Sequence, residues 1–418
     1  MVLSPELLDF IRRHADDDVR TLALHCTAKE LGGASVAFAL DQIRGRQMAR
    51  RKLPTWAATE GVIFPPHLAM EQCSSEATAR YKEGLPPSLT GRAEEGLGQG
   101  GSFVDLTGGF GVDFSYMSRG FQRRVYVERD EGLCKIAREN FRRLGLEAEV
   151  VCGDGVEYLR QMERVDVIFL DPARRDSHGQ RTYAVSDCTP DVTAIQGLLR
   201  EKARRVIIKL SPMLDWRQVT RELEGVTEVH IVATGGECKE LVVVMEAEGD
   251  GGCDRVATYT TPQVVCAGLR VICADLEGDC WVVPERTEAG LLRRYASPEA
   301  GMVLHVPNAA VMKAGCFDEL AAAFGVMPVA ANSHLFVASE AVEGFPGRSF
   351  HIEAVTTMNK KELRRTLAGI RQANISVRNF PLTADELRKR LKIKDGGECF
   401  LFATTTAGGQ HIVVVARR

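Results

Sequence analysis

No stretch of the 418 residues approaches about 18 uninterrupted apolar positions, so no membrane span is expected. Nor does a basic leader followed by an apolar core stand at the start. The first residues read instead as a helix, with Ser4 as N-cap and Pro5 behind it. A cytoplasmic protein is the expectation. Twelve cysteines are present, yet none forms Cys-x-x-Cys and none stands at zinc-ligand spacing to a histidine. Cys266, Cys273 and Cys280 recur every seven residues, but in β-like sequence where a heptad has no helical meaning. The cysteines read as reduced, small core residues, with neither disulfides nor a metal site. Apolar content of 45% and charged content of 26% describe a globular chain long enough for two to four domains.

The net charge of −3 is unevenly spread. Residues 357–418 hold 13 Lys/Arg against 5 Asp/Glu, so this segment is +8 and everything before it −11. A second basic run, Arg44, Arg46, Arg50, Arg51 and Lys52, lies in the N-terminal third. The asymmetry points to a polyanionic substrate.

Residues 103–113 run from apolar sequence through Asp105 and Thr107 into Gly108, Gly109, Phe110 and Gly111, and then into a helical pattern. That is a strand, a tight turn and a helix start, with bare backbone where a nucleotide-like ligand could approach. Glu128 follows 23 residues after Asp105, at the end of a second strand-like run over 124–128, a spacing suited to ribose hydroxyls. Strand candidates over 147–152 and 165–170 close on Asp154-Gly155 and on Asp171-Pro172. Four successive strands thus end on an acid. In a doubly wound sheet those ends line one crevice. So many carboxylates would repel a pyrophosphate but not a cationic sulfonium nucleoside.

Over about residues 100–247 the chain resembles the class I S-adenosylmethionine-dependent methyltransferases. The resemblance implies S-adenosylmethionine as cofactor. Asp105, Thr107 and Gly108 to Gly111, Phe110 included, would shelter its methionine part; Glu128 would take the ribose; Asp154 with Gly155 would lie near the adenine. Asp171-Pro172 matches the catalytic Asp/Asn-Pro motif, but continues Ala173-Arg174-Arg175 where an aromatic is usual, which puts base stacking by that motif in doubt. Further strands are expected over 205–210, 228–233 and 241–246, the last two joined too tightly for a helical crossover and so antiparallel.

Asp171 is the expected active centre. Lys209, with Glu237 or Glu240, follows the order of the Lys-Asp-Lys-Glu tetrad of 2′-O-ribose methyltransferases, with Lys82 the near candidate for the first lysine. The plainer reading makes Lys209 a salt-bridge partner of Asp171. Pro172, Arg174 and Arg175 are candidate substrate contacts, the arginines suiting a phosphate. Cys188 and Cys238 lie near in sequence, without a visible activating environment for a thiolate.

Four domains are expected: a helical one over 1–95, the methyltransferase over 96–250, a small α+β module over 255–355 and a basic α+β module over 356–418. In the last, helices over 359–372 and from a capping box at Thr383 and Glu386 flank a strand over 375–380, before a hairpin over 399–404 and 411–416. Segments 71–79, 307–315 and 377–382 make the whole chain resemble bacterial methyltransferases with a C-terminal THUMP-like domain. The fold class this implies is α/β: a Rossmann-like seven-stranded methyltransferase sheet with an N-terminal helical domain and ferredoxin-like and THUMP-like α+β modules. The function it implies is methylation of structured RNA, tRNA or rRNA, with helical and C-terminal parts gripping the polyanion. A small-molecule or protein methyltransferase and a non-catalytic RNA-binding protein are the alternatives. Neither a membrane nor a metal partner is expected, and oligomeric state is not legible.

Overall fold

The computed structural model describes residues 3–27, 31, 34–86, 101–174, 184–247, 268–284 and 294–418. Two units form: Met1–Val229 with Leu241–Asp254, and His230–Glu240 with Arg255–Arg418. The glycine-rich stretches 94–100 and 248–254, at the two ends of the expected methyltransferase domain, lie outside the described residues. Among the described residues no helix is long and apolar enough to cross a membrane.

Seven of the nine strands of the main sheet are β1 (Ser102–Asp105), β2 (Arg123–Glu128), β3 (Glu149–Cys152), β4 (Val165–Leu170), β5 (Ala203–Leu210), β6 (Val226–Thr234) and β7 (Glu237–Glu246). Their order is β3-β2-β1-β4-β5-β7-β6. β3, β2, β1, β4 and β5 are mutually parallel, and β7 returns antiparallel to β5, with Val242 opposite Lys209. The central strands are buried on both faces, which is why β4 reads as a near-continuous apolar run and β5 has one at its centre, Val206–Ile208. β6 and β7 come closer together than the seven-residue connection expected. Gly235 and Gly236, at φ +62° and +73°, are the whole turn, and two successive left-handed residues suit a tight hairpin. The chain crosses from one side of the sheet to the other between β1 and β4, which opens a crevice above their C-terminal ends.

The N-terminal helices share a core with this sheet rather than standing apart from it. Helix Pro5–Arg13 starts as expected, the Ser4 hydroxyl accepting from Leu7 N–H at 3.2 Å. Ile43, Leu53, Trp56 and Phe64 cluster with Phe110, Val112, Tyr116 and Ile136 of the sheet domain. Two buried amides fix the extended residues between. Gln42 exchanges two hydrogen bonds with Phe64 backbone, and Asn140 two with Ile63, all at 2.8 Å. Buried backbone needs such partners, since each group left unpaired costs about 1–3 kcal/mol.

The second unit is organised on a seven-stranded sheet ordered Met327–Pro328, Phe336–Ala338, Val303–Pro307, Gly347–Thr357, His411–Arg417, Phe400–Thr405, Asn374–Arg378. The boundary expected between 355 and 356 falls inside Gly347–Thr357, which pairs with Val303–Pro307 on one edge and His411–Arg417 on the other. One face buries Phe350, Phe402 and Val414 among others. The opposite face, with Leu401, Ala403, Val413 and Val415, is covered by Leu363 and Leu387 from helices Lys360–Thr366 and Ala384–Leu391. The Thr383–Glu386 capping box forms in full. The helix expected over 359–372 stops at Thr366, before Gly369 at φ +92°.

Candidate active site

Asp105 and Glu128 end β1 and β2; Asp154 and Asp171 stand just beyond β3 and β4. Asp105 is buried, and its Oδ1 accepts from Thr107 N–H at 2.9 Å. The Thr107 hydroxyl accepts from Asp171 N–H at 2.6 Å, tying the ends of β1 and β4 together. Glu128 accepts from Gly109 N–H through Oε2 and from Asp130 N–H through Oε1, both at 2.8 Å. Each carboxylate oxygen has a second lone pair, so a diol can still be held. Asp154 caps helix Gly155–Gln161 through Oδ1, which leaves Oδ2 for a ligand.

The glycines divide by role. A Cβ on Gly108 would lie 2.2 Å from the Tyr126 ring, and one on Gly155 2.1 Å from the Leu106 carbonyl oxygen. Those two are glycine because the protein packs against them. Gly111, at φ +85°, backs onto Phe141. Gly109, at φ +55°, has open space where its Cβ would be, meeting only Thr107 O at 3.8 Å. The Tyr126 hydroxyl donates to the Gly109 carbonyl and so fixes the loop from behind. Phe110 is turned into the core: it is buried against Trp56, ring centroids 4.8 Å apart, and against Phe64. Its contribution to a cofactor site is through the loop backbone alone.

Burial is the main reason the Asp105 carboxyl is pushed well above the usual range; the Thr107 N–H opposes it, while Asp113, Asp171 and Glu128 add to it. Asp113, Asp171 and Glu128 all act on Asp105, and an acidic surround of that kind suits a cationic ligand. Together with the open Gly109 and the unfilled valences of Glu128 and Asp154, this donor set fits a sulfonium nucleoside.

Beyond the end of β4, Lys209 Nζ lies 2.5 Å from Asp171 Oδ2 and 3.5 Å from Asp113 Oδ2. Asp113 in turn meets Lys82 Nζ at 3.2 Å through Oδ1 and accepts from the Ser74 hydroxyl at 2.7 Å through Oδ2. Lys82 is fully buried and also donates to Ser74 Oγ at 3.2 Å. The expected ion pair of Lys209 with Asp171 therefore forms, and the two lysines do flank an aspartate. That aspartate is Asp113, which sequence reasoning passed over. Its position in the first turn after the glycine loop was the available signal.

Glu237 forms an exposed ion pair with Lys239 at 2.6 Å. Glu240 is buried and counts with the second unit. Pro172 is buried; Arg174 is described by its backbone, paired with Cys188, and Arg175 lies outside the described residues. Cys188 is buried, and burial pushes the Cys238 thiol up to about 11, against a thiolate nucleophile. Among the described residues no cluster of three or more His, Cys, Asp or Glu could hold a metal.

This strand order, with its glycine loop and acids at the crevice, is that of a class I S-adenosylmethionine-dependent methyltransferase, and S-adenosylmethionine is the cofactor. Within that class the chain is of the kind with a C-terminal THUMP-like domain. It matches the family described as Conserved hypothetical protein 95 over residues 82–190, a ferredoxin-like domain over 304–346 and a THUMP domain-like family over 347–418. A solved structure from Porphyromonas gingivalis W83, provisionally named a methyltransferase, is similar over 100% of both chains, at 29% identity and a TM-score of 0.83. Protein-L-isoaspartate O-methyltransferase of Thermotoga maritima is 35% identical over 96 residues, 22% of this chain. The match spans 30% of that relative's length.

Proposed function

We propose that the protein transfers a methyl group to structured RNA, tRNA or rRNA, with Asp171 at the active centre. The cofactor supplies a methyl group on a sulfonium. The chain must hold the attacking atom in line with it and receive the proton that atom gives up. Asp171, partly exposed at the end of β4 and braced by Lys209 and Thr107, is the group placed for that proton. Asp105, Thr107, the 108–111 loop, Glu128, Asp154 and Gly155 hold the cofactor in this reading; Pro172, Arg174 and Arg175 belong to the substrate side.

One observation carries the choice of RNA. Helices Lys360–Thr366 and Ala384–Leu391 lie on the same face of their sheet. Lys360, Lys361, Arg364 and Arg365 on the first, and Lys389, Arg390, Lys392 and Lys394 on and after the second, are all exposed. None of the eight has an ion-pair partner among the described residues. Unpaired cations gathered on one face are what a phosphate backbone requires.

The test is incubation with radiolabelled S-adenosylmethionine and total RNA from a strain lacking the protein, with Asp171→Ala as control. Label entering RNA, and lost in the variant, is the expected result. Label entering protein or small molecules instead would move the substrate class. Cofactor binding with no label anywhere would favour a non-catalytic RNA-binding role.

A further inference from the structure

The buried charges behind Asp171 form an unbroken alternation: Lys82, Asp113, Lys209, Asp171. It begins on helix Glu76–Glu83, outside the sheet, and ends at the crevice. Lys82 has 0% of its side chain exposed and Asp113 10%. Burying ions is expensive, with a penalty of several kcal/mol per ion, and a well-packed apolar group of similar size is often at least as stable. A methionine at position 82 would fill much the same space. Stability alone therefore gives no reason for a lysine there.

Geometry does give one. Lys209 has two carboxylates within reach and sits closer to Asp171, at 2.5 Å, than to Asp113, at 3.5 Å. Asp113 faces Lys82 and the Ser74 hydroxyl from its other side. Burial disfavours ionisation of Asp113, but Lys82 and then Lys209 outweigh it, and its carboxyl lies below the usual range. Without Lys82, an ionised Asp113 would have only Lys209 to neutralise it among these four groups, and would draw the ammonium inward, away from Asp171.

We propose that Lys82 and Asp113, with Ser74, are positioning residues of the active centre: they hold the Lys209 ammonium on Asp171 and so fix the carboxylate that meets the substrate. The N-terminal region then has a role in the chemistry besides packing, since it delivers Ser74 and Lys82 from the same turn and helix. The inference rests on the proposed function only in placing Asp171 at the reacting end.

The test reads the chain end to end in the full-length protein with 15N-labelled lysine. The charged route from Lys82 to Asp171 runs through Asp113 and Lys209. Asp171→Asn is therefore expected to shift the Lys82 ammonium resonance, and Lys82→Met to shift that of Lys209. Ammonium signals that respond independently would overturn the proposal whatever the substrate proves to be, because this readout needs no methyl transfer. In the RNA labelling assay, Lys82→Met should lower kcat about 100-fold, the scale of an ångström's misplacement of a reacting group, with KM for the cofactor unchanged. The double variant Lys82→Met/Asp113→Asn, which removes one charge of each sign, should recover part of that loss. A lowered Tm with kcat intact would show Lys82 to be merely structural. Should Lys82→Met not fold, the Asp171→Asn spectrum decides alone.

Discussion

Two segments of this chain carry clustered lysines and arginines, and the structure uses them in opposite ways. In the N-terminal run, Arg46 donates to the Ala57 carbonyl at 2.8 Å and lies over the Phe64 ring. Arg50 pairs with Asp16, and Lys52 Nζ donates to the carbonyls of Met70 and Glu71 at 2.9 and 2.7 Å, satisfying the end of helix His67–Gln72. Arg44 and Arg51 of that run face solvent without such ties among the described residues. Lys360, Lys361, Arg364, Arg365, Lys389 and Arg390 of the last module extend outwards from helices whose leucines grip the sheet beneath. Equal charge density in sequence can thus mean internal fastening or an external surface. What separates them is whether carbonyls and carboxylates lie within reach.

That contrast can be broken most forcefully in the N-terminal core. Trp56→Ala removes a fully buried ring packed on Phe110, and should cost about 3–5 kcal/mol in urea unfolding. Cofactor affinity should fall with it, because Phe110 holds the glycine loop. Lys52→Met removes two charged hydrogen bonds to helix-end carbonyls, and about 1–3 kcal/mol is expected from the same measurement. Reversing Lys360, Lys361, Arg364 and Arg365 to glutamate should leave stability nearly unchanged yet weaken RNA binding in a filter assay. Each phosphate contact so lost should flatten the slope of log affinity against log salt by about 0.7–0.9. Arg44→Glu with Arg51→Glu should alter neither stability, within about 0.5 kcal/mol, nor that slope.

Asp105 offers a finer probe of the cofactor site. Its folded pKa is raised, so above the ordinary aspartate value of about 3.9 the folded state keeps a proton that the unfolded state has released. Its contribution to stability should therefore fall as pH rises from there to its folded pKa. Asp105→Asn should remove that fall, so that the urea midpoint of the variant changes less with pH across the window than that of the wild type. Asp113 has the opposite sign: its contribution is present above the ordinary range and lost as pH falls through its lowered pKa.

The strands and their terminal acids were readable because both signals are local: a buried parallel strand is a short apolar run, and the acid follows at once. The capping box at Thr383 was legible for the same reason, its two partners lying three residues apart. Asp113 was not, because its meaning depends on Ser74 and Lys82, 39 and 31 residues earlier, and on Lys209 far beyond. The glycines were read as room for a ligand. Only Gly109 faces open space; Gly108 and Gly155 answer to Tyr126 and Leu106, contacts that sequence spacing does not display.

The measurement that tests the account most directly is the salt dependence of kcat/KM for methyl transfer into total RNA, between 50 and 200 mM salt in roughly the range where phosphate contacts tell. A steep fall is expected in the wild type, with a shallower slope in the variant reversed at Lys360, Lys361, Arg364 and Arg365. Transfer into RNA that ignores both salt and those four substitutions would contradict it.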